Sequence, residues 1–186
     1  MTMTILAYQD FLQVAARKLQ DPALINRRSA LLIVNFERLA ELDGILGFAV
    51  VDKILTQVSN QLKAALNTED LVGTTGRYQV SCLLSDLLTD AHAMLAAHKI
   101  LRVLALPFVL DRRNIILAPR IGVALKNNAS ATLEQLMSNA SSAVRQARLA
   151  QESIKLFAAE TEDPLHFQID LWSDLGNAIE ASEVYL

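Results

Sequence analysis

Between two apolar runs, Gly73-Thr74-Thr75-Gly76-Arg77-Tyr78-Gln79-Val80 sets glycines, a cation, a phenol and an amide side by side. A strand-turn-strand hairpin explains the spacing, and its tip is either plain turn chemistry or the remnant of a site. Elsewhere the polar candidates are scattered. Asn35 ends a short apolar run, where it reads as a turn-satisfying amide or a weak ligand. Asp43 and Asp52 suit a helix entry and an exposed helix position, and Arg148 suits a solvated cation toward a helix C-terminus. His92 and His98 stand six residues apart rather than at the i, i+4 spacing of a shared metal site, and His166 is remote. The single cysteine, Cys82, lies in an apolar run without a cationic neighbour to activate it, so it reads as a buried, inert thiol. Neither a G-x-G-x-x-G nor a P-loop nor a nucleophile elbow occurs.

The chain of 186 residues is long enough for one self-sufficient core with a terminal extension. It is 52% apolar and 20% charged, which fits a globular protein and excludes general disorder. A net charge of −3 and a pI of 5.6 give no reason to expect nucleic acid or an anionic membrane as partner. Arg27-Arg28 and Arg112-Arg113 are isolated basic pairs that read as solvated turns. No apolar run is long enough for a membrane span and no signal peptide is visible, so a cytoplasmic location is expected.

The elements that must position these residues follow from periodicity. Spacing over 4–19 predicts a helix, ended by Asp21-Pro22; the run 31–36 predicts a strand covered on both faces; 47–66 predicts a long amphipathic helix. Segments 70–72 and 78–84 are the hairpin arms, and 89–104 is a helix that Thr89 could cap. A second hairpin is expected from 108–110 and 115–125, although Pro119 would remove a ladder donor from an inner strand. A helix over 132–151 with a capped, acidic start and a strand over 154–157 complete the pattern. The mixture indicates an α+β fold, a mostly antiparallel sheet flanked by helices.

In order and spacing, several short motifs resemble the GGDEF domain family of diguanylate cyclases, which condense two GTP into cyclic di-GMP. Thr4-Ile5-Leu6 and Phe11-Leu12 are similar to the family's opening helix. Asn35-Phe36-Glu37-Arg38-Leu39, with Asp43, Gly47 and Asp52, is similar to its D-x-D-x-F-K-x-x-N-D-x-x-G-H-x-x-G-D segment, and Arg120-Ile121-Gly122-Val123-Ala124 to its S-I-G-[IV]-A strand. The resemblance covers about residues 4 to 157 and implies a nucleotide-cyclase palm-like sheet.

It places the signature at Gly76, Arg77, Tyr78, Gln79 and Val80, where only the first glycine survives. The metal-binding acids of the family would fall on Asn35, Tyr78 and Gln79, none of them anionic, whereas Mg²⁺ favours carboxylate oxygen. Arg77 replaces a glycine that lets nucleotide approach the backbone. By the same resemblance Leu42 matches a guanine-contacting Asn, Asp52 keeps a guanine-contacting Asp, and the phosphate-reaching Lys and Arg become Arg148 and Glu152. The inhibitory-site R-x-x-D becomes Asn67-Thr68-Glu69-Asp70, which keeps the Asp and loses the Arg fork. Asn35, Asp52 and Arg148 are thus nucleotide-site remnants, Asn67 and Asp70 an inhibitory-site remnant, and no catalytic or metal residue is expected.

The implied organisation is an N-terminal helix and lead-in (1–28), a degenerate GGDEF domain (29–158) and a linker helix (159–186) toward an EAL phosphodiesterase domain. The tail pattern Ile169, Leu171, Leu175, Ala178-Ile179 resembles the opening of such a domain. The expected function is an inactive regulatory or interaction module in cyclic di-GMP signalling, with homodimerisation as one route. The alternatives are a GTP or cyclic di-GMP sensor without turnover and an active cyclase with an unusual metal site. No cofactor is expected, with Mg²⁺ entering only if GTP still binds.

Overall fold

A computed structural model of the chain describes residues 6–110, 113–126 and 128–158. Five strands form one sheet in the order β2 (Leu71–Gly76), β3 (Gln79–Leu87), β1 (Arg28–Asn35), β6 (Arg120–Leu125) and β7 (Ile154–Leu156), all pairs antiparallel except β6 with β7. At its centre is β1 (Arg28–Asn35), the expected strand covered on both faces. Because side chains alternate along a strand, Ala30, Leu32 and Val34 enter one core and Leu31 and Ile33 the other. The first core is closed by α3 (Phe48–Ala65) and α4 (Ala91–Leu104), the second by α1 (Tyr8–Gln20) and α5 (Leu133–Leu149). The mostly antiparallel α+β architecture is therefore the one expected.

The hairpin is β2 (Leu71–Gly76) and β3 (Gln79–Leu87), with Arg77-Tyr78 as a two-residue turn between paired Gly76 and Gln79. β6 (Arg120–Leu125) and β7 (Ile154–Leu156) lie on the other side of β1. Gly122 is obligatory for packing: a Cβ there would stand 2.1 Å from the Ala140 carbonyl oxygen and 2.7 Å from the Val144 nitrogen of α5. Thr132 and Gln135 form a reciprocal capping box at the start of α5, as its polar first turn suggests.

Four expectations are corrected. The first helix starts at Tyr8, and Leu6 instead makes an isolated parallel bridge to Gly73, with Thr74 N donating to Leu6 O at 3.0 Å. A further helix, α2 (Glu37–Leu46), fills the segment after β1, and Gly47, at φ 80°, turns the chain from it into α3. The segment 115–125 is not one strand. β4 (Phe108–Leu110) pairs with β5 (Arg113–Ile115) in a separate two-stranded sheet, and β6 begins only after Pro119, whose missing N–H therefore costs the ladder nothing. Thr89 does not cap α4, and its hydroxyl instead lies 2.8 Å from His92 Nδ1. The tail read as a linker, 159–186, and Thr4-Ile5 lie outside the described residues.

Candidate functional site

The end of β1 sets the geometry. Asn35 pairs in register with Gln79 on β3 and with Arg120 on β6, so an amide, an amide and a guanidinium form a row across three strands. The turn is pinned beside that row by Phe36 N donating to Tyr78 O at 2.9 Å. Asn35, Tyr78 and Gln79, grouped by the resemblance, are thus brought together.

What fills the corner above them is Asp43, near the end of α2. Its Oδ2 accepts a hydrogen bond from the Tyr78 hydroxyl at 2.7 Å and a charge-assisted bond from Arg77 Nη2. The Arg77 guanidinium also stands 5.2 Å from the centre of the Phe48 ring and 5.6 Å from that of Tyr78. The Tyr78 hydrogen bond, followed by Arg77, holds the Asp43 carboxyl below its usual range, and the same contact raises the pKa of both Tyr78 and Arg77. The tip is latched to α2 rather than open.

Glu37, at the first position of α2, is also taken. Its carboxylate meets Arg120 Nε at 3.4 Å and Arg148 Nε at 3.9 Å. Arg120 further donates through Nη1 to the Glu152 carbonyl at 2.9 Å, while the Glu152 side chain pairs with Lys155 at 3.2 Å. Arg148 therefore lies at the site, facing a carboxylate. Asp52 is exposed on α3, one turn beyond its start. Among the described residues no group of three His, Cys, Asp or Glu is gathered as a metal site. The donor set does not suit a hard dication: Asn35, Tyr78 and Gln79 carry no charge, and Asp43 and Glu37 are each engaged by arginine.

Asn67 and Asp70 border a separate cleft of about 240 Å³, shared with Ser85, His92 and Lys99. Asp70 is buried, and its two oxygens accept from Asn67 N at 3.0 Å and Ser85 N at 3.1 Å. Burial raises its pKa against those bonds. That carboxylate fastens the loop before β2 to β3. Cys82 is fully buried, and burial pushes its thiol pKa up, as an inert thiol requires.

Sequence reasoning missed Asp43, Glu37 and Arg120 as site residues. Counting the motif D-x-D-x-F-K-x-x-N from Asn35 sets its Asn at Asp43 and not at Leu42, which is a half-buried residue packed on the core. That count was the available signal.

A family model described as "Diguanylate cyclase, GGDEF domain" matches residues 2–153. Among curated relatives, all from Pseudomonas aeruginosa, the cyclic di-GMP phosphodiesterase NbdA is 25% identical over 138 residues, 74% of this chain and 18% of that protein. The bifunctional diguanylate cyclase/cyclic di-GMP phosphodiesterase MucR is 24% identical over 87% of this chain and 24% of its own length, and the diguanylate cyclase TpbB is 29% identical over 80% and 34%. The chain thus spans about a third or less of these relatives. The solved GGDEF domain of TpbB from P. aeruginosa superposes with a TM-score of 0.77 at 24% identity, covering 88% of this chain and 95% of that one. An EAL/GGDEF domain protein from M. capsulatus gives 0.66 at 27%, covering 72% and 86%.

Proposed function

The chain belongs to the GGDEF domain family of diguanylate cyclases, and from that premise we propose that it is a catalytically inactive member serving as a regulatory or interaction module in cyclic di-GMP signalling. The observation that carries the reading is the latch. The positions where the family places its signature acids hold Tyr78 and Gln79, and Tyr78 and Arg77 spend their donors on Asp43. In-line attack of a ribose hydroxyl on a triphosphate needs divalent metal to neutralise charge, and neutral donors do not hold it. In this reading the fold is kept for its surfaces, and an adjoining EAL phosphodiesterase domain in a longer protein is what it modulates. The names of relatives such as MucR, which joins both activities, support that context.

The test is incubation with GTP and Mg²⁺ or Mn²⁺, followed by chromatography for cyclic di-GMP, with calorimetry of GTP and cyclic di-GMP binding beside it. No product is expected, and accumulation of cyclic di-GMP overturns the proposal. Micromolar GTP binding without product replaces the scaffold reading by that of a sensor. Removing this domain from an EAL-containing protein is expected to change the phosphodiesterase rate.

A further inference from the structure

At the opposite end of the sheet from Asn35, roughly 23 Å away along β1 by strand rise, lies a second polar site. Lys126 follows β6, and its backbone N donates to Ser29 O at 2.9 Å. The residue is only 8% exposed, yet among the described residues its Nζ bonds just one acceptor, the Ile25 carbonyl. None of the ion pairs among the described residues includes it. An ammonium partly withdrawn from water without a counter-ion is costly, and that desolvation lowers its pKa.

Lys126 borders a predominantly polar cavity of about 330 Å³, together with Asn26, Arg27, Arg28, Asp90 and Asn128. Arg27 gives Nη1 to Asp86 and Arg28 gives Nη1 to Asp90, each at 2.8 Å. Three cations thus border the cavity with one carboxylate, Asp90; Asp86 pairs with Arg27 from outside it, and the Lys126 charge stays uncompensated in a chain whose net charge is negative. Each guanidinium keeps further N–H donors on its fork.

We propose that this cavity binds a phosphate-type oxyanion, held by the Lys126 ammonium and by the remaining guanidinium donors of Arg27 and Arg28. A forked guanidinium and a point-charge ammonium are the usual donors to a phosphoryl group. The volume is at the lower end of the roughly 300–1,000 Å³ typical of small-molecule pockets, which leaves room for an ester group beyond the phosphate. The site shares no residue with the corner formed by Asp43, Arg77 and Tyr78, so it is independent of the nucleotide chemistry discussed above.

Calorimetry on the full chain with inorganic phosphate, against chloride at matched ionic strength, tests it, with glycerol phosphate as a second arm. Saturable one-to-one binding is expected, and Lys126→Met and Arg28→Gln are each expected to weaken it by about tenfold or more. A preference for the ester assigns a phosphomonoester, and equal affinity assigns free phosphate. Lys126→Met should melt in chloride at or above the wild-type temperature because an unpaired buried charge is gone. If that variant does not fold, the exposed Arg28→Gln decides alone. Heats no larger than those of chloride, or equal affinity in the folded variants, overturn the proposal.

Discussion

Asp43 and Asp70 are both carboxylates with shifted pKa values, and the shifts run in opposite directions for opposite reasons. Asp43 is stabilised as an anion by Tyr78 and Arg77, so its folded pKa lies below the ordinary 3.8. Its contribution to stability is full above that value and is lost as pH falls through the lowered one. Replacing Asp43 by Asn should therefore speed amide exchange at 76–79 near neutral pH, with the gap from wild type closing in acid; an equal gap at all pH values would show that the latch is not electrostatic. Asp70 is raised by burial, so its linkage favours folding at low pH and declines as pH rises through the folded value. Its two backbone bonds still matter. An amide accepts through one oxygen only, so Asp70→Asn should cost about 1–3 kcal/mol in chemical denaturation through an unsatisfied buried N–H. The role of Asp43 was hard to read in the sequence because its partners are 34 and 35 residues away, beyond any local spacing rule.

Where an element's physics is local, the sequence carried it. Thr132 and Gln135 meet three residues apart, and removing the hydroxyl by Thr132→Ala should destabilise by about 1 kcal/mol. β1 was legible because an unbroken apolar run suits a strand with two covered faces. α2 was not, because it buries only Leu39 fully, with Leu42 and Leu46 packed at the margin, too thin a stripe to show a period. The split of 115–125 was hidden by continued apolar spacing across Pro119, the one residue that hinted at a break. Gly122 and Gly76 make a sharper contrast. A Cβ at Gly122 strikes α5 backbone, which cannot swing away, so Gly122→Ala should cost at least about 3 kcal/mol. At Gly76 the nearest contact is the end of the Gln79 side chain at 3.1 Å, so Gly76→Ala should lie within about 0.5 kcal/mol of wild type. Thermal melts of the two variants check both, and comparable losses would contradict the packing argument. The surviving signature glycine is thus not required by the packing at the tip.

For the molecule as a whole, the sheet's two faces are committed to core, and the two polar corners described above lie at the ends of β1. At the Asn35 end, arginines at 77, 120 and 148 neutralise the two acids at 37 and 43. Restoring one acid should accordingly do little. Asn35→Asp would set a carboxylate in register with Arg120, which would pair with it in place of a metal. The combined variant Asn35→Asp, Arg77→Gly, Tyr78→Asp, Gln79→Glu adds three carboxylates and removes the latch together. It should gain Mg²⁺ binding in calorimetry, whereas wild type and the single variant should show none. Cyclic di-GMP formation is a stricter demand, because Asp43 and Glu152 would still differ from the Asn and the cation that the resemblance sets at those positions. Metal binding by wild type or by Asn35→Asp alone would mean that the arginines do not control the corner, and the reading of this end as a closed surface would fail with it.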